Sequence, residues 1–536
     1  IIKNMKYVYL FGQGITQGKA SQVDILGGKG ANLAEMSKLN IPVPPGFTIS
    51  TSVCNLFLKD NALNAKIYTS VEQAITKIEN KIKKKLGDTE NPLLLSVRSG
   101  AKVSMPGMME TVLNIGLTSK TIPALIQKTG NEQFVYDSYR RLIMMYADVV
   151  MEKAEQKNNI NIRKKLESIF EKQKKLKNIV KDSELSVSDL KEVILKFKIE
   201  IKKNFKKEFP DSCKAQLWGA IEAVFKSWNG KRAVQYRNIE NIPHNWGTAV
   251  NVQAMVFGNL GSSSATGVAF TRNPSNGKNT LYGEWLKNAQ GEDVVAGIRT
   301  PFPINNASKT LQTKKSTTLE KSWPNIYKKL ISIKNKLELH YKDMQDIEFT
   351  IESGNLWMLQ TRLGKRTGEA AIKIAIDMNS EKLISKTDVI NRIISKNIDE
   401  IMHSKVDPKE EEAHSPIEFG LPASPGGAVG QIVFNATDAE HWHKQKKKVI
   451  LVRHETSPED VQGMHVAQGI ITAKGGMTSH AALVARGWGK ACIVGCSNIN
   501  IDLKKKTLLV NGSIYKEGDW LTINGTEGYI YGQKLN

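Results

Sequence analysis

The chain contains no glycine between Gly130 and Gly219, a run of 88 residues in a protein that has 41 glycines. Glycine is the residue that most readily permits turns and that most weakens helix interiors, apart from proline. The run is also charged and amphipathic, as in NIRKKLESIFEKQKKLKNIV, which is typical of helices with one solvated face. The sequence therefore predicts a helical region in the middle of the chain, over residues 118–240.

The segments on either side of this region predict mixed α/β structure. Residues 1–117 combine strand-like text such as YVYLFG with a Gly-rich turn, LGGKG, and a helix, ANLAEMSKL. After Trp246 the sequence changes to strands such as GTAVNVQAMVFG and TLYGEWL. The segment DIEFTIESGNLWMLQTR predicts a β-hairpin that turns at Ser353, Gly354 and Asn355.

The remaining sequence predicts a helical connection and a further compact unit. Residues 366–405 return to a helical pattern, and VDPKEEEAHSP, with two prolines around an acidic run, is the best linker candidate. Residues 417–532 hold short apolar strands and one helix after Ser479. At about 100–200 residues per domain, 536 residues suit an α+β or α/β multidomain fold. We expect five consecutive regions, at residues 1–117, 118–240, 241–365, 366–413 and 414–536.

The charge balance is strongly basic, with 76 Lys and Arg against 53 Asp and Glu and a formal net charge of +23. Nucleic-acid binding is one interpretation, because a phosphate backbone attracts Lys and Arg whatever its sequence. The charge is spread through helical text, however: residues 151–210 hold 17 basic and 10 acidic residues without an aromatic-interleaved basic face or zinc-finger spacing. We therefore favour a Lys-rich solvated helical surface and expect no nucleic-acid partner.

Neither a membrane-spanning nor a secreted protein fits this sequence. No uninterrupted apolar run reaches the roughly 18 residues of a membrane span, and the first residues lack the regions of a signal peptide. Four scattered cysteines are too few for a disulfide framework, so we expect a reducing, cytoplasmic setting and no membrane partner. Cys492 and Cys496 are either a metal-binding or redox pair, or two buried structural thiols. Their spacing is not C-x-x-C, which favours buried thiols.

The segment GGMTSHAALVARGWGKACIVG, residues 475–495, contains the strongest candidate for chemistry. Thr478 or Ser479 is suited to cap a helix that begins at His480 and ends at Gly487. A phosphoryl group on this imidazole would lie near unpaired backbone N–H groups at the positive end of the helix dipole. The same dipole disfavours the protonated ring, which keeps a nitrogen lone pair for attack. Taken alone, the segment is equally compatible with a structural histidine at a helix end.

This segment resembles the phosphohistidine signature of the pyruvate phosphate dikinase family, and RHETSPEDVQGM resembles the text that accompanies that signature. The resemblance continues through LGGKGANLAEM, SVRSGAKVSMPGMMETVLNIGL, YDSYRRLIMMYADVVM, GTAVNVQAMVFGN, TGVAFTRNP, LYGEWLKNAQGEDVVAGIRTP and MQDIEFTIESGNLWMLQTRLGKRT. The related phosphoenolpyruvate synthases typically carry Cys where this chain has Ser479, and they lack the text GMMETVLN. The dikinase pattern therefore fits better.

The resemblance implies an ATP-grasp domain with a helical insertion, followed by a β/β/α phosphohistidine swivelling domain. It implies that ATP gives a pyrophosphoryl group to His480 and releases AMP, and that phosphate then removes the terminal phosphoryl group as pyrophosphate. The original β-phosphoryl group stays on the ring and passes to pyruvate. Mg²⁺ is the implied cofactor, and ATP and inorganic phosphate are the implied partners.

Three basic residues are implied to contact the ATP phosphates. Lys29 stands between glycines that let a phosphate approach the backbone, although a turn lysine in solvent fits the same text. Arg98 precedes Gly100 at a strand end, where a guanidinium group grips either phosphate oxygens or a protein carboxylate. Arg140 and Arg141 point about 100° apart on a helix, so only one is expected to face the site. The family motif favours Arg141.

The predicted hairpin supplies the implied metal site. Alternation along the strands puts Asp346 and Glu348 on one face, and it gives Gln360 and Arg362 a common face on the returning strand. Acidic and amide oxygens suit Mg²⁺, which is shared with nucleotide phosphates, but a solvated polar strand face fits the spacing too. By the family pattern Glu348 and Gln360 are metal ligands. By the same pattern Asp346 supports the nucleotide or the metal, and Arg362 faces the transferring phosphates.

Two further residues enter through the resemblance. Glu284 in YGEW is expected to contact the nucleotide. Thr478 matches a threonine that is a regulatory phosphorylation site in plant relatives, and a phosphate there would place like charge beside the phosphoryl acceptor. A helix-capping role would also account for Thr478.

The family's complete enzyme continues with a (β/α)₈ barrel that binds pyruvate and phosphoenolpyruvate. We expect that this barrel is absent, so that both compounds are reached only through a missing unit, and that the full-length enzyme is a homodimer. Three other functions stay open. They are a nucleotide-binding remnant without catalysis, a basic nucleic-acid-associated protein and a phosphoenolpyruvate synthase-like enzyme.

Overall fold

The structure is a computed structural model that describes residues 6–105, 107–157, 160–179, 182–295, 301–309, 313, 315–395, 397–398 and 405–536. It divides into two compact units, the first Ile1–Leu260 with Trp357–Gln360 and the second Gly261–Leu356 with Thr361–Asn536. This division does not test the five expected boundaries, which stay predictions. The expected mixed α/β multidomain class is confirmed, because each unit combines helices with sheets.

The first unit is built on an antiparallel sheet. Its strands are β1 (Val8–Gly12), β2 (Ile15–Thr16), β3 (Gly46–Ile49), β4 (Leu95–Ala101), β5 (Thr111–Ile115) and β6 (Thr248–Ala254). They pair in the order β2-β1-β3-β6-β4-β5. Strand β6 is buried at every position because it lies between β3 and β4 and is covered on its faces.

Helices of the first unit connect and cover these strands. They are α1 (Val23–Lys38), α2 (Thr51–Asp60), α3 (Ala65–Ile82), α4 (Ile122–Thr129), α5 (Glu132–Tyr146), α6 (Ile162–Leu176), α7 (Val187–Phe205), α8 (Cys213–Ser227) and α9 (Lys231–Ile239). The described part of the glycine-free run is helical as predicted, since α5, α6, α7 and the start of α8 lie within it. One face of each of these helices is buried. On α7 this face includes Leu190, Val193 and Phe197.

The Gly-rich segment LGGKG lies inside α1 and not in a turn before it. The segment Val23–Lys38 is helical except at Gly27, whose φ is 65°. A Cβ atom on Gly27 would lie 1.6 Å from the carbonyl oxygen of Gly100, so only glycine lets α1 approach β4 this closely. The predicted helix ANLAEMSKL is confirmed, but the predicted turn at LGGKG is only a break at Gly27, because a further helical turn precedes it.

The second unit begins with another antiparallel sheet. Its strands are β7 (Ala265–Phe270), β8 (Tyr282–Lys287), β9 (Phe302–Pro303), β10 (Gln345–Glu352) and β11 (Asn355–Leu363), in the order β11-β10-β7-β8-β9. The middle of β11, Trp357–Gln360, is grouped with the first unit. The predicted hairpin is confirmed, since β10 leads into β11 through Ser353 and Gly354. Both residues have positive φ, 47° and 77°, as tight hairpin turns require.

Helices associated with this sheet are α10 (Gly291–Val295), α11 (Leu319–Ser322), α12 (Pro324–Tyr341), α13 (Gly368–Ser380) and α14 (Lys386–Arg392). A buried arginine joins two of these helical segments to the sheet. Arg272, just after β7, donates to Glu338 of α12 at 3.0 Å and to Glu381, just after α13, at 3.1 Å. The guanidinium group is fully buried, so these carboxylates satisfy a charge that has no access to water.

The rest of the second unit is a strand-rich region. Its larger sheet has the order β12-β22-β21-β14-β15-β16-β17-β13, and its smaller sheet has the order β18-β19-β20. The strands are β12 (Glu418–Phe419), β13 (Leu421–Ser424), β14 (Gly427–Val433), β15 (Val449–Arg453), β16 (Gly469–Thr472), β17 (Ala491–Val494), β18 (Ile499–Asp502), β19 (Thr507–Val510), β20 (Ser513–Lys516), β21 (Trp520–Asn524) and β22 (Tyr529–Tyr531).

The helices here are α15 (Pro408–Ala413), α16 (Ala436–Lys444), α17 (Val461–Val466) and α18 (His480–Trp488). The expected linker thus contains a helix, because Pro408 at its first position is compatible with helical geometry. The predicted helix after Ser479 is confirmed as α18, and the short helices α16 and α17 accompany it. Within the described residues, no helix combines the length and apolar composition that a bilayer-spanning segment needs.

The end of β16 lies at the edge of the sheet where the carboxyl ends of the parallel central strands meet. Strands β14, β15, β16 and β17 run parallel, and α18 makes the crossover from β16 to β17. Loops that leave the carboxyl ends of parallel strands commonly carry ligand-binding residues. The loop between β16 and α18 leaves such an end, and it leads directly to His480.

Candidate functional site

The candidate residues divide between the two units. Lys29, Arg98, Arg141 and Gln360 belong to the first unit, and Glu284, Asp346, Glu348, Arg362, Thr478 and His480 belong to the second. In the first unit, Lys29 is half-buried on α1, just past the break at Gly27, and Arg98 is half-buried on β4. Gln360 is buried on β11.

Arg140 and Arg141 share one carboxylate on α5. Arg140 donates to Oδ1 of Asp137 through Nε at 2.8 Å and Nη2 at 2.6 Å, and Nε of Arg141 donates to Oδ2 at 2.9 Å. Arg140 is the more buried of the two, and its guanidinium group lies 4.2 Å from the Phe170 ring centroid. Both arginines are therefore held by Asp137, a residue that the sequence analysis did not identify.

One face of the sheet in the second unit carries the carboxylates of Glu284, Asp346 and Glu348. Strand pairing aligns Glu348 with Val268 and Val268 with Glu284, and residues directly opposite in antiparallel strands share a face. Glu284 therefore projects from the same face as Glu348, two strands and roughly 9.5 Å away. Asp346 lies two residues from Glu348 on β10, so it projects from this face as well.

Asp346 is buried and bound to Arg362. Nε of Arg362 donates to Oδ2 of Asp346 at 2.7 Å, which brings together two residues that the sequence analysis assigned to phosphate binding. Burial raises the pKa of Asp346, and the Arg362 charge acts in the opposite direction. Oδ1 of Asp346 is buried without a hydrogen-bond partner among the described residues, which fits a nearby metal ion or nucleotide.

The donor set around Asp346 and Glu348 fits Mg²⁺ held jointly with a nucleotide. In the described residues no group of three His, Cys, Asp or Glu side chains forms a metal site by itself. Mg²⁺ prefers one or two carboxylates together with phosphate oxygens and waters. Two carboxylates on one sheet face, one of them with an unsatisfied oxygen, are therefore the type of donors that this ion requires.

His480 is the first residue of α18, as predicted. Ser479 occupies the N-cap position, but its side chain makes no capping hydrogen bond. The helix ends at Trp488, and Gly489 adopts the left-handed conformation with φ 64°. The prediction that Gly487 ends the helix is therefore wrong, because the cap lies at the next glycine.

The imidazole of His480 is positioned by a threonine from another loop. Oγ1 of Thr456 lies 3.0 Å from Nδ1 of His480, and the histidine side chain is buried. Thr456 lies in the segment RHETSPEDVQGM, which the sequence analysis singled out without assigning a role to this residue. No spacing rule identifies it, because the hydrogen bond joins residues 24 positions apart.

We name the segment Gly475–Ser479 the histidine loop. The carboxylate of Glu284 accepts hydrogen bonds from the backbone N–H of Met477 at 3.1 Å and from Oγ1 of Thr478 at 2.9 Å. Burial raises the pKa of Glu284, whereas these donors favour its ionised form. The sequence analysis expected a nucleotide contact for Glu284 and a capping or regulatory role for Thr478. In the structure the two side chains bind each other.

A buried arginine of α18 holds the other side of the same loop. Arg486 donates to the carbonyl oxygens of Met477 and Ala423, the latter at 2.8 Å through Nε. Its guanidinium group lies 5.4 Å from the ring centroid of Phe270, which aligns with Asp346 in the sheet. Met477 and Ala481 belong to the same apolar cluster as Phe270 and Tyr282. The histidine loop and α18 therefore pack on the face that carries the three carboxylates.

Two family models match the chain. Residues 23–73, 64–330 and 324–383 match the model described as pyruvate phosphate dikinase, AMP/ATP-binding domain. Residues 445–528 match the model described as PEP-utilising enzyme, mobile domain. The chain belongs to the pyruvate phosphate dikinase family. Its mixed α/β architecture is consistent with the ATP-grasp and swivelling domains of that family.

Curated relatives of the chain are named pyruvate, phosphate dikinase. The chain is 51% identical over 526 residues to pyruvate, phosphate dikinase of Rhizobium meliloti (strain 1021), covering 98% of this chain and 58% of that relative. It is 48% identical over 528 residues to the Clostridium symbiosum enzyme, with 98% and 58% covered. For the chloroplastic dikinase 1 of Arabidopsis thaliana the identity is 48% over 526 residues, with 98% and 52% covered. The chain spans a little over half the length of these relatives.

The mobile-domain match corrects one expectation. The resemblance implies that pyruvate and phosphoenolpyruvate are reached only through a missing barrel. The match of residues 445–528 to a family of phosphoenolpyruvate-utilising enzymes contradicts that expectation, because a part of this chain itself belongs to such enzymes.

The two cysteines of ACIVGC are buried thiols, as favoured by their spacing. Both side chains are free of disulfide bonds and are buried in the second unit. Burial raises the pKa of Cys492 to about 12, and it also raises the pKa of Cys496. Neither thiol is therefore poised to act as a thiolate near neutral pH.

Proposed function

We propose that this chain phosphorylates its own His480 with Mg·ATP, in a reaction that also consumes inorganic phosphate and releases AMP and pyrophosphate. One observation supports the proposal above all. The loop that carries His480 packs on the sheet face from which Asp346, Glu348 and Glu284 project. A phosphoryl acceptor next to Asp346 and Glu348, which are suited to Mg·ATP, is what such a transfer requires.

The proposed reaction has two phosphoryl transfers. First, a ring nitrogen of His480 bonds to the β-phosphorus of ATP, the bond from that phosphorus to the α,β-bridging oxygen breaks, and AMP leaves with the oxygen. An oxygen of inorganic phosphate then bonds to the γ-phosphorus. The bond from this phosphorus to the β,γ-bridging oxygen breaks, pyrophosphate leaves, and the original β-phosphoryl group remains on His480.

Thr456 supports Nε2 as the attacking nitrogen. For Nε2 to present a lone pair, the proton of the neutral ring must be on Nδ1. Nδ1 then donates to Oγ1 of Thr456, which lies 3.0 Å away. This hydrogen bond is compatible with the reactive tautomer, and it stabilises the cationic ring that forms as Nε2 is phosphorylated.

The remaining candidate residues have proposed roles in binding. We propose that Lys29, Arg98 and Arg141 bind ATP phosphates, with Arg362 at the transferring group. Glu348 and Gln360 are the proposed Mg²⁺ ligands, supported by Asp346. Bound Mg²⁺ supplies positive charge that neutralises the phosphate oxygens during transfer.

The other substrates follow from the family name. We propose pyruvate as the final acceptor and phosphoenolpyruvate as the product, so that the overall reaction converts ATP, pyruvate and phosphate into AMP, phosphoenolpyruvate and pyrophosphate. A cytoplasmic location also stays a prediction, and the Arabidopsis relative is named chloroplastic.

Incubation with β-labelled ATP, Mg²⁺ and phosphate tests the transfer. The expected result is label on the chain that is stable in base and lost in acid, together with AMP and pyrophosphate. The variant His480→Ala should take up no label, whereas His443→Ala, an exposed histidine on α16, should be labelled like the wild type. An unlabelled wild type, or equal label on His480→Ala, contradicts the proposal.

Labelling, calorimetry and a salt titration together separate the other candidate functions. Labelling that needs no phosphate and yields no pyrophosphate indicates a phosphoenolpyruvate synthase-like reaction. ATP binding in calorimetry without AMP formation indicates a nucleotide-binding remnant. An affinity for nucleic acid that falls steeply with salt concentration and does not change when ATP is added indicates the basic nucleic-acid-associated protein.

A further inference from the structure

We propose that Glu284 is a positioning residue that binds the histidine loop and fixes His480 for phosphoryl transfer. This inference rests on the proposed function and assigns Glu284 a role other than the expected nucleotide contact. The hydrogen bond from Thr478 to Glu284 joins residues 194 positions apart, so it attaches the loop to a distant strand, β8.

Gly476, Met477 and Thr478, three successive residues of the histidine loop, lie against the carboxylate of Glu284. Oε1 of Glu284 accepts from the Met477 N–H at 3.1 Å, and Oε2 accepts from Oγ1 of Thr478 at 2.9 Å. A Cβ atom on Gly476 would lie 2.5 Å from both oxygens, well inside van der Waals contact. A side chain at position 476 would therefore push against the carboxylate, and Glu284 would have to shift to accommodate it.

Opposite charges hold the Met477 peptide from its two sides. Its N–H binds the buried Glu284 carboxylate, and its carbonyl oxygen accepts from the buried Arg486 guanidinium group. Both charged groups are secluded from water, so the loss of either hydrogen bond leaves a buried ion poorly compensated. This arrangement gives the loop one strongly favoured position against the sheet.

The position of the loop determines the position of the reactive ring. His480 follows the loop directly as the first residue of α18. An ångström of misplacement between reacting groups is enough to slow a transfer about a hundredfold. Glu284 therefore contributes to the transfer without touching the reacting atoms, by keeping the imidazole in register with the face that carries Glu348.

The first test uses the isosteric variant Glu284→Gln. Its side chain keeps one acceptor oxygen but replaces the other with an amide group that cannot accept from Thr478. The single-turnover rate of His480 labelling at saturating ATP should fall about tenfold or more. The dissociation constant of ATP should stay within about twofold of the wild type, because Glu284 does not bind the nucleotide. Glu369→Gln, an exposed glutamate in the first turn of α13, is the matched control and should label normally.

Amide hydrogen exchange reports the loop contact without any catalysis. The N–H of Met477 should exchange about tenfold faster or more in Glu284→Gln than in wild type, while amides of the central strand β15 stay unchanged. Thr478→Val, which removes only the hydroxyl donor, should produce a smaller change of the same kind.

The third test leaves Glu284 unchanged. Gly476 is not in a left-handed conformation, so Gly476→Ala brings the contact with the Glu284 carboxylate and no backbone strain of its own. It should slow labelling about tenfold or more in wild type but by less than about twofold in a Glu284→Ala background, where the carboxylate is gone.

The outcomes separate this proposal from the proposed function. Weaker ATP binding in Glu284→Gln with an unchanged labelling rate at saturation overturns the positioning role and restores the nucleotide contact. Additive effects of Gly476→Ala and Glu284→Ala, or unchanged Met477 exchange, also overturn it. If wild type takes up no label, the proposed function fails, and the exchange measurement still decides whether Glu284 holds the loop.

Discussion

Oγ1 of Thr456 lies 3.0 Å from Nδ1 of His480, within hydrogen-bonding distance of the ring. The substitution Thr456→Val keeps the shape of the side chain and removes its hydroxyl group. We expect the rate of His480 labelling by ATP to fall about tenfold or more, because one hydrogen bond of roughly 1.4 kcal/mol is lost as the ring becomes cationic. Single-turnover labelling at saturating ATP measures the effect.

Thr456→Ser is the matched control for this variant. It keeps the hydroxyl group and should retain labelling within about threefold of the wild type. Equal rates for Thr456→Val and the wild type would show that Nδ1 does not need this partner.

The buried Arg272 network predicts a loss of stability when it is broken. Arg272→Met leaves the carboxylate of Glu338, which is only 4% exposed, without its main positive partner. We expect the unfolding free energy of the second unit to fall by about 3 kcal/mol or more. Urea unfolding of the full chain, followed by fluorescence, should show a lower midpoint for the transition of that unit.

Glu381→Gln tests the other arm of the same network. The Glu381 side chain is 35% exposed, so water replaces part of the lost interaction and the cost should stay near or below about 1 kcal/mol. A larger loss in Glu381→Gln than in Arg272→Met would contradict this account.

Features encoded by neighbouring residues were predictable from the sequence. The helix that begins at His480 and the hairpin at Ser353 and Gly354 depend on residues a few positions apart, and both are confirmed. The partners of the site were not predictable in this way. Glu284 meets Thr478 across 194 residues, and periodicity within a segment carries no information about such a contact.

One error of the sequence analysis has the same origin. The glycines of LGGKG predict a turn by local rules, but Gly27 is required where α1 crosses the distant Gly100. Prolines near 408 predict a linker, although proline also starts helices. The approach of α1 to β4, a tertiary contact that the local pattern does not contain, decided the first case.

Asp137 predicts a specific pH dependence of stability. Burial alone would raise the pKa of its carboxyl group, but Arg140 and Arg141 lower it to about 2, from an ordinary value of 3.8. A depressed pKa in the folded state stabilises the fold above the unfolded value and ceases to do so as the pH falls through the folded value. This carboxylate should thus contribute about 2 kcal/mol at pH 6, lost between about pH 4 and pH 2.

The variant Asp137→Asn isolates this contribution. Urea unfolding at pH 6 and at pH 3 should show a smaller loss of stability on acidification in Asp137→Asn than in wild type. Asp60→Asn, an exposed aspartate at the end of α2, should behave like the wild type. Identical pH dependence in wild type and Asp137→Asn would exclude a depressed pKa at Asp137.

Neighbouring glycines of α1 should respond very differently to the same substitution. A Cβ atom on Gly27 would lie 1.6 Å from the Gly100 carbonyl oxygen, and its φ of 65° strains any other residue. On Gly28 the nearest atom is the Lys102 carbonyl oxygen at 3.3 Å, and its φ is not in the left-handed range. We expect Gly27→Ala to lower the unfolding free energy of the first unit by more than about 2 kcal/mol, and Gly28→Ala by less than about 1 kcal/mol. Because Lys29 lies two residues after Gly27, Gly27→Ala should also weaken ATP binding in calorimetry. Equal stability of the two variants would mean that α1 does not need its close approach to β4.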